Sequence, residues 1–335
     1  MKIFITGIAG FLGSHLADRL LGKGHTVAGC DNLIGGYREN IPQGAEFHEA
    51  DTENLGHMTE LLKGVDVVYH CAATAHEGLS VVSPYAITRN ILSGSVAPIT
   101  AAIQNGVKRF IFCSSMARYG ANPVPYREDM EPRPEDPYGV AKFAAEDILR
   151  QLSETHGMEY VIAVPHNIIG PRQKYDDPFR NVAAIMINLM LQGRQPIIYG
   201  DGEQQRCFSF VEDDVALLEA LATTAHPELV NGVLNIGPDS ELVTVNELAK
   251  TIARLLDFDL DPIYIPDRPR EVKVSWCSSN KARRTLGYAP TYTLERGLKE
   301  MIDWIRARGP RPFEYHLPLE IVNDKTPRSW KEQLF

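Results

Sequence analysis

The stretch "ITGIAGFLGSHLADRL", residues 5–20, decides the fold. An apolar run that suits a β-strand leads into Gly7, Gly10 and Gly13, and a helix-type segment follows. Glycines between a first strand and a first helix allow a tight turn, and they let the backbone approach a phosphate at the positive N-terminus of the helix. The stretch therefore predicts a strand–turn–helix unit that binds a pyrophosphate.

A carboxylate follows at the end of the second apolar run, where Asp31 lies 18 residues beyond Gly13. A carboxylate at this place accepts hydrogen bonds from the ribose hydroxyls of an adenosine and repels a 2′-phosphate. The two features together predict a dinucleotide site with NAD, rather than NADP, as the cofactor. Asp51, after the third strand, either caps the adenine amino group or begins a helix ahead of "ENLGHMTELL"; the sequence leaves both interpretations open.

The first half of the chain alternates short apolar runs with helix-type segments. The runs "KIFIT", "TVAGC", "VDVVYHCA", "RFIFCS" and "YVIAVP" are nearly uninterrupted, which is typical of strands buried on both faces of a parallel sheet. Alternating strands and helices predict an α/β protein with a Rossmann-type doubly wound parallel sheet. Such a sheet binds its ligands at the carboxyl ends of the strands.

The sequence after Pro165 becomes richer in turn-forming segments, which indicates a second domain. We predict an NAD-binding domain over residues 1–165, which residues 207–237 rejoin. Turn-rich segments predict a smaller, interleaved C-terminal domain, residues 166–206 and 238–308, that binds the substrate. Residues 309–335 form a proline-rich extension with too much apolar surface for a free linker, so we expect it to pack on the body or on a neighbouring subunit.

Bulk composition excludes several classes of function. The formal net charge of −9 argues against a nucleic-acid binder, although a few arginines could still surround a phosphorylated small molecule. The five cysteines lack the paired spacing of metal sites and suit a reducing cytoplasm, so we predict no metal. We expect no membrane partner, because no apolar run reaches the roughly 18 residues that span a bilayer. "MKIFITG" enters a strand directly, so we expect no signal peptide.

A tyrosine and a lysine stand four residues apart in "DPYGVAKFAAEDIL", residues 136–149. At the start of a helix this spacing places Tyr138 and Lys142 on one face. An ammonium near a phenol stabilises the phenolate and makes it a stronger base. Ser114 and Ser115 end the neighbouring strand, where they could hydrogen-bond the same substrate oxygen.

The chain resembles the extended short-chain dehydrogenase/reductase family over roughly residues 1–305, in particular its NAD-dependent nucleotide-sugar 4-epimerases and their dehydratase and decarboxylase relatives. The segments that carry the resemblance are "TGIAGFLG", "YHCAA", "CSSMARYG", "YGVAK", "HNIIGPRQ", "YGDGEQQRCFSFVEDD" and "RPREV". The resemblance implies NAD as cofactor and a nucleotide-diphosphate sugar as substrate. It also implies a homodimer built from the helices near residues 84–105 and 139–156.

The resemblance assigns roles residue by residue. The implied catalytic residues are Ser115, Tyr138 and Lys142. The cofactor-binding residues that we predict are Gly7, Gly10, Phe11, Leu12, Gly13, Asp31, Asn32, Asp51, Ala72, Asn90, Tyr138 and Lys142. The substrate-binding residues that we predict are His76, Glu77, Ser114, Asn167, Arg206, Arg268 and Glu271.

Some of these substrate residues have a second interpretation. Arg206 and Arg268 lie in turn-rich segments, which suits forked recognition of phosphate oxygens. Ser114 either contacts substrate or caps the strand. His76 and Glu77 stand where simpler epimerases have small or aliphatic residues; they either face the sugar, where they could act as a second acid/base, or hydrogen-bond within a loop.

The residues after Ser115 favour one reaction among the relatives. The 4,6-dehydratases carry an Asp-Glu pair where this chain has Met116 and Ala117, and the decarboxylases usually carry a glutamate near the place of Arg118. The epimerase-reductases use an additional cysteine and lysine, for which no clear match appears, although Cys113 lies close by. The sequence thus favours C4 epimerisation through a 4-keto sugar. The alternatives are a dehydratase, decarboxylase or reductase of the same family, and a non-catalytic NAD-binding protein.

Overall fold

The computed structural model describes all 335 residues and is built around a parallel sheet of seven strands. The whole chain forms fourteen strands, seven of which belong to this sheet. The fourteen strands are β1 Lys2–Thr6, β2 Thr26–Asp31, β3 Glu46–Glu49, β4 Val67–His70, β5 Arg109–Cys113, β6 Glu159–Pro165, β7 Ile168–Ile169, β8 Ile197–Tyr199, β9 Gln205–Cys207, β10 Ser209–Phe210, β11 Gly232–Ile236, β12 Leu242–Thr244, β13 Ile263–Ile265 and β14 Val274–Ser275. The order in the large sheet is β11-β6-β5-β4-β1-β2-β3, and every pair in it is parallel. The predicted Rossmann-type fold is confirmed.

Helices cover both faces of this sheet. They are α1 Phe11–Gly22, α2 Leu55–Leu61, α3 Glu77–Ser80, α4 Pro84–Gln104, α5 Pro137–His156, α6 Val182–Leu191, α7 Val211–Leu221, α8 Val245–Leu256, α9 Asn280–Leu286, α10 Leu294–Arg308 and α11 Arg328–Lys331. Helices α1 and α7 pack together on one face, whereas α2, α4 and α5 pack together on the other. None of these helices is both long enough and apolar enough to cross a lipid bilayer.

The uninterrupted apolar runs follow from this two-sided burial. In β1 the side chains of Ile3 and Ile5 join the core beneath α1 and α7, whereas Phe4 between them joins the core beneath α4 and α5. In β5, Ile111 and Phe112 divide in the same way. Because successive strand side chains point to opposite faces, a sheet with a core on each side requires apolar residues at every position.

The position of the ligand crevice follows from the strand order, which reverses at β1. Strand β1 lies between β2 and β4, so the chain leaves β1 toward one side of the sheet and returns on the other side. The loops after β1 and β4 therefore separate and leave a crevice at the carboxyl ends of the strands, which is where doubly wound sheets bind ligands.

The second half of the chain adds smaller sheets beside this crevice. They have the strand orders β12-β9-β14, β13-β8 and β10-β7, and helices α6, α8 and α10 pack against one another nearby. Strand β11 pairs with β6, so this half of the chain also contributes to the large sheet. The domain boundaries given above stay a prediction.

The C-terminal extension, residues 309–335, lies against the body of the protein. Trp330 is 2% exposed, and its indole N–H donates a hydrogen bond to the carbonyl oxygen of Pro178 (3.2 Å). The Ser83 hydroxyl donates to the carbonyl oxygen of Pro318 (2.6 Å). These contacts hold the extension against the loop between α3 and α4 and against the loop that precedes α6.

Candidate active site

A cavity of about 450 Å³ opens at the carboxyl ends of the parallel strands. Its wall contains nearly every residue that the sequence predicts for the site. They are Gly7, Gly10, Phe11, Leu12, Gly13, Asp31, Asn32, Ala72, Asn90, Ser114, Ser115, Tyr138, Lys142, His76, Glu77, Asn167, Arg206, Arg268 and Glu271. Asp51 is the exception, since it lies outside the wall and accepts hydrogen bonds from the side chain of Asn32 and the backbone N–H of Glu53.

The glycine turn after β1 has room only for glycine at two of its three positions. Gly7 has φ +75°, a region that L-residues rarely adopt. A Cβ on Gly13 would lie 2.2 Å from the carbonyl oxygen of Gly7. Helix α1 begins at Phe11 without a side-chain cap, so the backbone N–H groups of its first turn are available to a ligand. The turn fits an anion such as a pyrophosphate.

Asp31 is fixed at the end of β2 by backbone hydrogen bonds. Its carboxylate accepts from the N–H of Ala9 (3.0 Å) and from the N–H of Leu33 (2.7 Å). Burial raises the pKa of Asp31, and the backbone donors oppose that rise. Each oxygen keeps a further lone pair, so the carboxylate can also accept hydrogen bonds from two ribose hydroxyls.

The predicted catalytic residues come from two neighbouring elements. Helix α5 begins at Pro137, a favoured first position, and the carboxylate of Asp136 caps it by accepting from the N–H of Gly139 (2.9 Å). Tyr138 and Lys142 are both buried, in the first two turns of this helix. Ser115 follows β5, and its Oγ accepts from the N–H of Ala117 (3.2 Å).

The protonation of these groups is set mainly by burial. Burial raises the pKa of Tyr138 above its usual range; Ser115 and Arg180 oppose the rise, and Glu77 adds to it. Burial lowers the pKa of Lys142 to about 8, so its ammonium is still mostly protonated at neutral pH. The ammonium donates to the carbonyl oxygen of Cys113 (2.9 Å) and makes no hydrogen bond to Tyr138. The predicted stabilisation of the Tyr138 phenolate by Lys142 therefore does not involve a direct hydrogen bond in this structure, and it stays a prediction.

Ser114 lies in the cavity wall, and its hydroxyl also belongs to a buried hydrogen-bond network. Its hydroxyl donates to Glu146, whose carboxylate also lies 3.0 Å from the guanidinium of Arg118. The side chains of Arg118 and Glu146 are 2% and 0% exposed. The network joins the end of β5 to α5, the helix that carries Tyr138 and Lys142.

Asn90 supports the loop after β4. Its side-chain oxygen accepts from the backbone N–H of Thr74 (2.8 Å) and from the Thr74 hydroxyl (2.7 Å). The side-chain NH₂ of Asn90 remains available at the cavity wall.

The predicted substrate arginines are brought together by the second half of the chain. Arg206, on β9, donates to the carbonyl oxygens of Gln205 (2.9 Å) and Val272 (2.7 Å). Arg268 donates two hydrogen bonds to the carboxylate of Glu271 (2.9 and 2.8 Å), which leaves its Nη1 without a partner. The structure thus presents two guanidinium groups in one wall of the cavity.

Asn167 lies in the same wall and has φ +43°, a conformation that asparagine tolerates better than most residues. Its side chain donates to the carbonyl oxygen of Cys207 (3.0 Å) and so lies next to the strand of Arg206.

His76 and Glu77 stand at the beginning of the short helix α3. The Nε2 of His76 lies 2.8 Å from the carboxylate of Asp177, and both side chains are buried. Burial lowers the pKa of His76. Burial raises the pKa of Asp177, but His76, the charge of Arg180 and the backbone N–H of Phe179 together outweigh burial and lower it. At neutral pH a neutral imidazole therefore donates to an ionised carboxylate. His316, from the C-terminal extension, lies 3.9 Å from the same carboxylate.

Known proteins share both this sequence and this architecture. The model of the NAD dependent epimerase/dehydratase family matches residues 3–237. This chain belongs to that family. A putative UDP-glucose 4-epimerase of Methanocaldococcus jannaschii is 35% identical over 311 residues, which cover 91% of this chain and 98% of that protein.

Two solved structures of the family superpose closely on this chain. The UDP-glucose 4-epimerase of Thermotoga maritima, solved with UDP-glucose, is 35% identical with a TM-score of 0.86, and the match covers 92% of this chain and 99% of that one. The UDP-glucuronic acid 4-epimerase of Bacillus cereus, solved with UDP-glucuronic acid and NAD, is 28% identical with a TM-score of 0.85, and the match covers 92% of this chain and 100% of that one.

Membership of an NAD-dependent epimerase family confirms the prediction of NAD as the cofactor. The glycine turn and the carboxylate of Asp31 suit its pyrophosphate and its unphosphorylated ribose. The individual cofactor contacts stay a prediction.

One residue in the cavity wall was not singled out by the sequence. Arg180 is half-buried, its guanidinium donates to the carbonyl oxygen of Gly35 (3.4 Å), and its charge opposes the rise that burial causes in the pKa of Asp31 and of Tyr138. The sequence shows only a polar segment, "KYDDPFRN", and gives no sign that its arginine reaches the cofactor end of the cavity.

Proposed function

We propose that the chain interconverts a nucleotide-diphosphate sugar and its C4 epimer through a 4-keto intermediate. The observation that carries the proposal is a single cavity whose wall contains Ser115, Tyr138 and Lys142 together with Arg206 and Arg268. The first three can manage a proton at a sugar hydroxyl, and the two arginines can hold a diphosphate.

The catalytic side chains act on the C4 oxygen of the hexose. Tyr138 removes the proton of the C4 hydroxyl and returns a proton to this oxygen after the 4-keto sugar has rotated in the site. Ser115 hydrogen-bonds the same oxygen. Lys142 is a buried cation that favours the phenolate electrostatically, although it does not bond to it directly in this structure. NAD, when bound, would supply the redox chemistry as the acceptor and donor of a hydride at C4.

The diphosphate suits the wall formed by the second half of the chain. The Nη1 of Arg268 has no protein partner and can donate to a phosphate oxygen. Arg206 is held in place by three carbonyl oxygens, those of Gln205, Val272 and Lys273, and Asn167 adds an amide beside it. Fixed guanidinium groups lose little freedom when they bind, which favours a tight and oriented diphosphate.

The turn after Ser115 supports epimerisation over dehydration. Met116 lies with its sulfur 3.2 Å from the Ser275 hydroxyl, Ala117 is buried, and Arg118 is paired with Glu146. None of the three can move a proton at C5 or C6 of the sugar. The presence of both Tyr138 and Lys142 likewise favours an enzyme over a non-catalytic NAD-binding protein.

Product analysis tests this function. The protein is incubated separately with UDP-glucose, UDP-N-acetylglucosamine and UDP-glucuronate, and the products are separated and weighed by mass spectrometry. We expect a product of unchanged mass that co-elutes with the galacto isomer. Loss of water would assign a dehydratase, loss of carbon dioxide from a uronate would assign a decarboxylase, and turnover of no nucleotide sugar would leave only NAD binding; each contradicts the proposal.

We also propose a homodimer that packs through α4 and α5. The supporting observation is an apolar face that includes Tyr85 and Val140, which are 68% and 52% exposed, with half-buried Leu92, Phe143 and Ile148 along the same helices. A monomer mass in sedimentation at micromolar concentration would contradict the dimer.

The predicted domains and location also remain proposals. An NAD-binding unit and a substrate-binding unit are supported by the separate sets of cavity residues that the two halves contribute. A cytoplasmic location is supported by five free cysteines, which a reducing compartment maintains. Oxidised thiols in protein taken directly from freshly lysed cells would contradict that location.

A further inference from the structure

Glu77 carries a carboxylate that no group in the protein binds. The only oxygen of Glu77 with a hydrogen-bond partner is its backbone carbonyl, which accepts from the Ser80 hydroxyl (2.7 Å). The side chain of Glu77 is exposed, and it lines the cavity. Because no protein group binds this carboxylate, both of its oxygens are free to accept hydrogen bonds from a ligand in the cavity.

The position of Glu77 is fixed by its neighbours in the chain. His76, immediately before it, is held by the buried carboxylate of Asp177. Gly78, immediately after it, lies so close to the substrate wall that a Cβ there would be 3.2 Å from the Nη1 of Arg268 and 3.4 Å from the ring of Trp330. Contacts of His76 and Gly78 therefore fix the backbone on both sides of Glu77, and its side chain lies in the cavity wall.

Charged groups from three elements surround this carboxylate. Asp136 and Tyr138 belong to the start of α5, Arg206 belongs to β9, and Arg268 and Glu271 belong to the loop before β14. Glu77 thus lies between the tyrosine that acts at C4 and the arginines that hold the diphosphate. In a nucleotide sugar the hexose ring connects those two points, so it must lie alongside Glu77.

We propose that Glu77 restricts the sugar site to hexoses without a carboxylate, so that a uronic acid is rejected. The inference rests on the proposed function, because it places the diphosphate on Arg206 and Arg268 and C4 at Tyr138. Glu77 accepts hydrogen bonds from hydroxyl groups of an uncharged hexose. The carboxylate of a uronic acid would meet Glu77 as a like charge, after the diphosphate has already neutralised the nearby guanidinium groups.

Arg180 donates to Gly35 at the cofactor end of the cavity, and its charge acts on Asp31 and Tyr138, whereas the main charges that act on Glu77 are Asp136, Arg206, Arg268 and Glu271. The contrast with a relative is direct, since the similar structure from Bacillus cereus is that of an enzyme for UDP-glucuronic acid. The selectivity must therefore come from a few residues in the sugar site and not from the shared fold.

The rejection should depend on pH. Burial and the charge of Asp136 raise the pKa of Glu77 to about 7, while Arg206 and Arg268 oppose the rise. A carboxyl group with a raised pKa is charged above that value and neutral below it. A uronic acid is therefore repelled most at pH 8, and at pH 6 a proton on Glu77 relieves the repulsion.

The test compares UDP-glucose with UDP-glucuronate, which differ only at C6, in the NAD-loaded protein. For the wild type at pH 8 we expect kcat/KM for UDP-glucose to exceed that for UDP-glucuronate at least 100-fold. In Glu77→Gln we expect this ratio to fall at least tenfold. In the wild type the ratio should also fall between pH 8 and pH 6, whereas in Glu77→Gln it should not change. Asp324→Asn, which removes an exposed charge outside the cavity wall, should behave as the wild type.

Direct competition binding of the two nucleotide sugars separates this inference from the proposed function. A wild type that turns over neither sugar but binds UDP-glucose at least tenfold more tightly, with the preference lost in Glu77→Gln, would support the role of Glu77 and contradict C4 epimerisation of these sugars. Equal use or equal binding of both sugars by the wild type would overturn the inference. A ratio that Glu77→Gln leaves unchanged would overturn it as well.

Discussion

Replacing Tyr138 by phenylalanine is expected to lower kcat about 10²–10⁴-fold while NAD remains bound, because positioned acid–base groups commonly contribute factors of this size. The substitution removes one oxygen and leaves the ring, which packs among Leu79, Ala117 and Ala141 in a buried apolar cluster. The fold should therefore survive. The measurement is steady-state turnover of UDP-glucose, together with the fraction of protein that carries NAD.

Tyr264→Phe is the matched control. Tyr264 is 52% exposed on β13, and its hydroxyl donates to the side chain of Asn246 (3.0 Å), outside the cavity. Its loss should leave kcat unchanged within a factor of about two. If Tyr138→Phe kept more than a tenth of the wild-type activity, Tyr138 would not be the proton-transferring residue.

Replacing Arg118 by alanine is expected to lower the free energy of unfolding by about 3–5 kcal/mol, because removing one partner leaves a buried charge unpaired. Glu146 is fully buried, and its remaining partners are the hydroxyl of Ser114 and the guanidinium of Arg150 at 3.5 Å. Burial raises the pKa of Glu146, and Arg118 is the strongest opposing influence. Urea denaturation at pH 7.5 measures the loss.

The double variant Arg118→Met with Glu146→Gln separates an unpaired charge from lost packing. Both charges are then absent, the introduced glutamine keeps a carbonyl oxygen for Ser114, and the introduced methionine fills most of the space of the arginine. We expect the double variant to be more stable than Arg118→Ala by at least about 1–2 kcal/mol, since an apolar replacement of a buried pair is often neutral. Equal losses in the two variants would show that packing, and not the ion pair, dominates.

The sequence predicts the parts of the site that are local along the chain. Glycines between a strand and a helix, Asp31 at the end of the next strand, and the spacing of Tyr138 and Lys142 each depend on neighbours only a few residues away. The parallel sheet then brings them to one edge, because every strand ends at the same side. For these residues a periodic pattern and a known strand order are sufficient.

The contacts that the sequence does not predict join distant parts of the chain. In the sequence, Arg118 serves only as an argument against a decarboxylase, which usually has a glutamate near this place. In the structure, Arg118 lies in the turn after β5 and forms an ion pair with Glu146 on α5. His76 and Asp177 are 101 residues apart and both buried. Such pairs have no local pattern, since their identity depends on how the helices and loops pack.

Two further differences concern the predicted cofactor end. Asp51 lies outside the cavity wall, with its carboxylate occupied by Asn32 and Glu53. Lys142 donates to the carbonyl oxygen of Cys113 and not to Tyr138, because the ammonium lies above the end of β5. In both cases the sequence places the residue near the site but cannot give the direction of its side chain.

In the proposed reaction, chemistry is confined to C4, and the hydrogen that leaves this carbon returns to it. The most direct measurement is epimerisation of UDP-glucose in D₂O, followed by NMR and mass spectrometry of the product. Since the hydrogen of C4 does not exchange with water and only hydroxyl protons pass through Tyr138, we expect UDP-galactose with no carbon-bound deuterium. Deuterium at C3 or C5 would show proton abstraction from carbon, deuterium at C4 would show exchange with water, and either result would contradict the account.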